Sequence, residues 1–288
     1  MTLELALRLG RVSNLPTVWT NVAAAIVLAG GVPHAHTLGL LALAASLFYV
    51  GGMFLNDVYD AEIDQRERPE RPIPSGAVDR AVVERWGYGL LASGIVVIGV
   101  HGLAFGTMPV WRALLAGVAT CTVIVVYDRW HKGNPAAPVI MGLCRVGVYV
   151  TAALAVAPGL SPSLLAGAAL LLGYVLGLTY VARFENEVGK VRRWWPLVGL
   201  LAPMLYMVPV LRGAFILRAI VGGFGMWVFR SIDLLRRGVT RDAVVSLIAG
   251  ISLLDALLLI RHGQLLLALG AVGAFGLTLA LQRKVAGT

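Results

Sequence analysis

Apolar residues run along this chain in long blocks broken by short polar stretches. The blocks fall at 15–31, 38–56, 86–105, 109–127, 136–157, 162–182, 194–211, 214–231, 243–261 and 264–282. Each is close to the roughly 20 apolar residues a helix needs to cross a hydrocarbon core about 30 Å thick. The pattern predicts an all-α, polytopic membrane helix bundle of nine or ten transmembrane helices around a central cavity open to the lipid. The count is nine or ten because Arg218 lies inside the 214–231 block, where a lone arginine is costly unless it is paired or snorkels.

Composition agrees with this reading. Hydrophobic residues make up 58% of the chain and charged residues 14%, well under the share of about 25% usual in soluble domains. The net charge of +9 does not imply nucleic acid, because the basic residues follow the loops. Arg66, Arg68, Arg71, Arg80 and Arg85 lie between the second and third blocks, Arg129 and Lys132 between the fourth and fifth, and Arg183, Lys190, Arg192 and Arg193 between the sixth and seventh. The alternate loops "GGVPHAHT", "HGLAFGTMP" and "APGLSPS" hold no Lys or Arg. Positive-inside topology therefore assigns the charged loops and the N-terminus, with Arg8 and Arg11, to the cytoplasmic side of the cell inner membrane. No cleavable signal is expected at "MTLELALRLGRVSNLPTVW". Cys121 and Cys144 read as small apolar residues rather than as a disulfide or metal pair. Nothing suggests a linker, so residues 1–288 are expected to form one transmembrane domain, with Gly173, Gly177, Gly270, Gly273 and Gly276 allowing close helix packing.

Candidate chemistry is concentrated where the second block ends, in "NDVYDAEIDQRERPERPIPSG". If the helix continues past Asn56, then Asp57, Asp60 and Asp64 stand at i, i+3 and i+7 on one face. Three acids there repel one another and oppose the helix dipole, so they do not serve stability. A solvated loop in which Asp, Glu and Arg neutralise each other is the plain alternative. An oxygen-rich face also suits Mg²⁺, which binds through one or two carboxylates together with the oxygens of a phosphorylated ligand. Beside lipid, that ligand is expected to be lipid-like.

These residues resemble the UbiA superfamily of intramembrane prenyltransferases, whose first signature is N-D-x-x-D-x-x-x-D followed by an arginine-rich loop ending R-P-[IL]-x-[SA]-G. The chain reads "NDVYDAEID" and then "RPIPSG". The CDP-alcohol phosphotransferases begin their aspartate pattern with D-G-x-x-A-R, which is missing here. The resemblance implies that Asp57, Asp60 and Asp64 bind Mg²⁺ and that Asn56, Arg66 and Arg71 contact the substrate. In "YDRWHKGNP" it implies that Tyr127, His131 and Lys132 meet the diphosphate, with Lys132, like Asp57, Asp60 and Asp64, in a catalytic role, since a lysine there stabilises the charge that grows as the bond breaks, and with Asp128 and Arg129 as local departures. The family's second aspartate motif has its counterpart in "TYVARFENEVGK". Glu185 and Glu187 are the implied metal ligands there, Glu185 with a catalytic role, and Asn186 is an implied substrate contact. The i, i+2 spacing of the two glutamates departs from the family pattern and points to a divergent, EboC-like branch. Asn21 and Arg145 either line the cavity or join helices. Asp255 reads as structural, paired with Arg218.

The implied reaction is Mg²⁺-dependent ionisation of an isoprenoid diphosphate donor, followed by prenyl transfer to an aromatic or other small lipophilic acceptor. The expected partners are that donor, that acceptor and membrane lipid. Tyr59, Tyr149, Tyr174 and Tyr180 either stabilise the cation through their ring faces or pack in the core. Two other readings stand beside this one. One is a terpene cyclase on the same fold, and the other a non-catalytic membrane transporter or scaffold.

Overall fold

A computed structural model of the protein describes residues 1–182, 195–212 and 214–285. Among these the regular elements are all helical: α1 (Leu3–Leu9), a 3₁₀ turn (Val12–Asn14), α2 (Leu15–Leu28), α3 (Ala35–Glu67), α4 (Arg80–Ala104), α5 (Val110–Trp130), α6 (Ala137–Val156), α7 (Pro162–Ala182), α8 (Trp195–Tyr206), a second 3₁₀ turn (Val208–Arg212), α9 (Phe215–Arg236), α10 (Thr240–Arg261) and α11 (Leu265–Gln282). Each of the ten apolar blocks contains a helix. Among the described residues eight helices are long and apolar enough to cross a membrane, while α2 and α8 are shorter. The protein is an integral membrane protein.

Apart from Asp255 and its charged ends, helix α10 is apolar or small on every side, and such a helix belongs in the middle of a bundle. It is buried almost throughout and touches α2, α7, α9 and α11. Helix α2 packs in turn against α3, α6 and α11, and α3 against α4 and α5. The α3–α4 crossing depends on two glycines. A Cβ at Gly51 would stand 2.8 Å from the Gly87 carbonyl oxygen, and one at Gly87 would stand 2.8 Å from the Leu55 side chain. Small residues allow this backbone approach, a common device in lipid.

A smaller apolar cluster holds the loop after α3. Leu9, Phe54, Val58, Val78 and Val83 are buried together, with Ile73 against them. Asp79 caps α4 by accepting from the backbone N–H groups of Ala81 and Val82. The loop is therefore pinned on the C-terminal side of Arg71.

Two expectations need correction. Gly270, Gly273 and Gly276 face open space, with nothing within 4 Å of a Cβ built on any of them, so they do not serve packing within the chain. Asp255 does not pair with Arg218. It is fully buried in mid-bundle and accepts from Thr20, Asn21 and Tyr149, whereas Arg218 is exposed near the start of α9. Of the two roles open to the tyrosines, packing holds for Tyr149 and Tyr174, fully buried and bonded to Asp255 and to the Leu247 carbonyl, and for Tyr59, which packs against the core and pairs with Tyr88 through their hydroxyls. None of these three rings lines the central chamber.

Candidate active site

Helix α3 continues well past Asn56, as the spacing requires, and buries Asn56, Asp57, Asp60 and Asp64 on one face. Basic groups from three other segments meet that face. Oδ1 of Asp57 lies 3.4 Å from Arg11 and 3.6 Å from Arg71, and Oδ2 of Asp64 lies 2.7 Å from Arg71. Asp60 faces His131 Nε2 at 3.4 Å and Lys132 Nζ at 3.6 Å. The three acids are thus neutralised in two groups, one by arginines and one by the α5–α6 loop.

Arg11 reaches Asp57 because its backbone takes a left-handed conformation, φ 43°, between α1 and the first 3₁₀ turn. Few non-glycine residues adopt that region, and strain of this kind tends to collect at functional sites. Burial would lower the pKa of Arg11. The nearby charge of Asp57, with Tyr49, Tyr127 and Asp60, outweighs burial and raises it, so the guanidinium stays charged.

The end of α5 supplies the facing wall. Tyr127 stacks on His131 with ring centroids 4.9 Å apart, and His131 Nδ1 faces the Tyr127 and Asp128 carbonyl oxygens. Asp128 is 3% exposed. Its Oδ1 accepts from Asn56 Nδ2 at 3.3 Å, and its Oδ2 has no partner.

Beneath these groups lies a chamber of about 300 Å³. Its mouth is lined by Arg11, Arg68, Arg71, Tyr127 and Asp128. Its interior is lined by Val18, Phe48, Ile124, Val148, Leu178 and Ile251, among other apolar side chains. Arg145 also lines it, hydrogen-bonded to Asn21 and Thr17 and set 5.5 Å over the Tyr49 ring. A cavity with a charged mouth and an apolar interior suits a molecule with an anionic head and a hydrocarbon tail.

The chamber brings together Arg71, Tyr127 and Arg145 of the sequence candidates. Asn56, Asp57, Asp60, Asp64, His131 and Lys132 cluster around its mouth through the contacts above. Asn21 lies behind Arg145, and Arg66 is exposed. Glu185, Asn186 and Glu187 lie outside the described residues. Sequence reasoning passed over Arg11 and Arg68, and treated Asp128 as a mere departure. Only the position of Asp128 one residue after Tyr127 could have signalled it.

Among the described residues no three His, Cys, Asp or Glu side chains converge tightly enough to hold an ion alone. Magnesium does not require that, since one or two carboxylates and phosphate oxygens suffice. The donors at the mouth are oxygens, and the unpartnered, buried Oδ2 of Asp128 is an acceptor without a donor. This set fits a hard cation that arrives with a phosphorylated ligand.

Residues 17–244 match a family model described as the UbiA prenyltransferase family. The chain is 38% identical over 105 residues to digeranylgeranylglyceryl phosphate synthase of Thermococcus kodakarensis, covering 36% of this chain and 35% of that protein. It is 28% identical over 170 residues to the protein of the same name from Pyrococcus abyssi, covering 59% of this chain and 55% of that one. The matched stretches thus span from about a third to just over half of these relatives. A solved structure described as a UbiA homolog from Aeropyrum pernix K1 superposes with a TM-score of 0.66 at 15% identity, covering 87% of this chain and 97% of that chain. At that identity the likeness concerns the fold.

Proposed function

The chain belongs to the UbiA prenyltransferase family, and from that premise we propose that it is a Mg²⁺-dependent membrane enzyme that ionises an isoprenoid diphosphate and transfers the prenyl group to a lipophilic acceptor. The observation that carries this reading is the chamber itself, with guanidinium and carboxylate groups at its mouth and hydrocarbon within.

Asp57, Asp60 and Asp128 would hold the metal, joined by Asp64 or by Glu185 and Glu187. When bound, Mg²⁺ supplies charge neutralisation on the diphosphate oxygens. Arg11, Arg71, His131 and Lys132 bind and orient the diphosphate and stabilise the negative charge that grows as the C–O bond breaks. The apolar interior keeps water from the allylic cation, and the rings of Phe48, Tyr49 and Tyr127 face it from the chamber wall. The acceptor attacks C1 of the prenyl group and its proton passes to a carboxylate at the mouth. The relatives are named as synthases of a lipid phosphate, which supports testing phosphate-bearing lipid acceptors beside aromatic ones. The loop charges support a cytoplasmic mouth.

The test is to incubate purified protein with C10 to C20 prenyl diphosphates, with and without Mg²⁺ and candidate acceptors. Acceptor-dependent, Mg²⁺-dependent pyrophosphate release is expected. A terpene released without acceptor would indicate cyclisation instead, and no pyrophosphate from any donor would remove the enzyme reading.

A further inference from the structure

On the far side of α5 from the chamber, a crevice of about 390 Å³ opens between α4 and α5, lined by Tyr88, Ala92, Ile95, Val118, Val125 and Arg129 among others. Among the described residues it shares no lining side chain with the chamber. The two helices are in tight contact near their connecting loop, where a Cβ on Gly102 would collide with Val110, and again at Gly117, where a Cβ would stand 2.9 Å from Ile98 and 3.0 Å from Ile95. The crevice begins at the next residue, Val118, and runs toward the end that carries the active site. From Val118 to Arg129, α5 rises about 16 Å at 1.5 Å per residue, about half of a hydrocarbon core about 30 Å thick. The crevice is thus one leaflet deep, too short for a second transmembrane helix and long enough for an acyl chain.

Its walls and its end differ in chemistry. Thr122 returns its hydroxyl to the Val118 carbonyl, which leaves the inner wall apolar. The outer end carries Tyr88, Arg129 and Trp130, and aromatic rings of this kind sit at headgroup level. The Arg129 guanidinium carbon lies 5.5 Å from the centroid of the Tyr59 ring, whose hydroxyl pairs with that of Tyr88. Arg85 stands one turn outward on the same stripe of α4, since 85, 88, 92 and 95 repeat at i, i+3, i+7 and i+10. Among the described residues neither arginine has a carboxylate within 4 Å. Glu84 lies close to Tyr59 and pairs with neither of them. Two cations without counter-ions at the interface, above an apolar groove one leaflet deep, match one occupant. We infer that this crevice binds an anionic phospholipid of the leaflet on the active-site side, its phosphate on Arg129 and Arg85 and one acyl chain along α5. The site is separate from prenyl transfer and does not depend on that reading.

The test is site-resolved crosslinking, independent of turnover. Purified full-length protein in detergent is photolysed with a phosphatidylglycerol that carries a diazirine in its acyl chain, and the modified peptides are mapped by mass spectrometry. Labelling of residues 118–126 is expected. Unlabelled phosphatidylglycerol should compete for it about tenfold better than phosphatidylcholine of the same chains, the size of one charge-assisted hydrogen bond. Replacing both arginines, Arg85→Gln with Arg129→Gln, should remove that preference. Ala92→Trp, which fills the crevice from its lipid-facing side, should remove the labelling itself. Equal competition by the two lipids in the wild type overturns the inference, as does a preference that survives in the double variant, labelling that persists in Ala92→Trp, or labelling confined to other segments. Glycerol phosphate that competes as well as phosphatidylglycerol overturns it too, because the site then reads a free anion. If the double variant does not fold, the wild-type preference and Ala92→Trp decide.

Discussion

Nη1 of Arg71 lies 2.7 Å from Oδ2 of Asp64, which is almost fully buried, and the same nitrogen stands 3.6 Å from Asp57. One guanidinium thus links the first and last acids of the motif and ties the loop to α3. Breaking a buried pair leaves an uncompensated charge. Asp64→Ala is expected to lower stability by about 2 kcal/mol, read as a lower melting temperature in detergent. Unchanged melting would show that the loop is held by its apolar cluster alone.

Asp57 and Asp60 face different cations, so each should matter separately. Asp57→Asn and Asp60→Asn are isosteric and should each cut pyrophosphate release by about a hundredfold or more, the scale of losing one preorganised electrostatic group. Melting temperature should fall less than in Asp64→Ala, because the amide oxygen still accepts a hydrogen bond from the facing cation. Release within threefold of wild type in both variants would exclude them from the metal site.

Asp128 offers a readout of the metal that does not need turnover. With Oδ2 unpartnered and buried, the carboxylate costs stability as it stands. Asp128→Asn should weaken Mn²⁺ binding in the presence of a non-hydrolysable diphosphate analogue, followed by the electron paramagnetic resonance of the free ion. Identical Mn²⁺ affinity in the variant would assign Asp128 to the Asn56 hydrogen bond only.

The Gly51–Gly87 crossing makes a structural prediction remote from the chemistry. Gly51→Val would drive a side chain into the Gly87 carbonyl, where backbone and not a flexible tip must move. A loss of about 2 kcal/mol is expected, typical of overpacking, seen as lower melting and reduced yield. Gly89→Ala, where no atom lies within 4 Å, is the control and should be silent.

Much of this was legible because it is local. Apolar block length marked the helices, and i, i+3, i+7 spacing put Asp57, Asp60 and Asp64 on one face, as α3 does. Tyr127, His131 and Lys132 were readable as a short polar run at the end of a span. Arg11 was not, because its reach to Asp57 depends on a backbone turn with positive φ that no residue type announces. Asp255 was assigned to Arg218 on charge alone, yet its partners Thr20 and Asn21 lie more than 230 residues away. Neutral donors across a helix interface leave no pattern along the chain. The glycines of α11 misled for a related reason: spacing shows that a face is small, and not what it meets.

Helix α3 is a single rod of 33 residues, about 50 Å long at 1.5 Å per residue. That is roughly 20 Å more than the hydrocarbon it crosses. The acids sit on its overhang, rigidly joined to a segment whose depth the lipid sets. Bilayer thickness thereby becomes a control parameter for the reaction. Thick or thin acyl layers would sink, lift or tilt the rod by hydrophobic mismatch and carry the carboxylates with it relative to the phosphate plane, so turnover in vesicles should pass through a maximum as acyl length is varied.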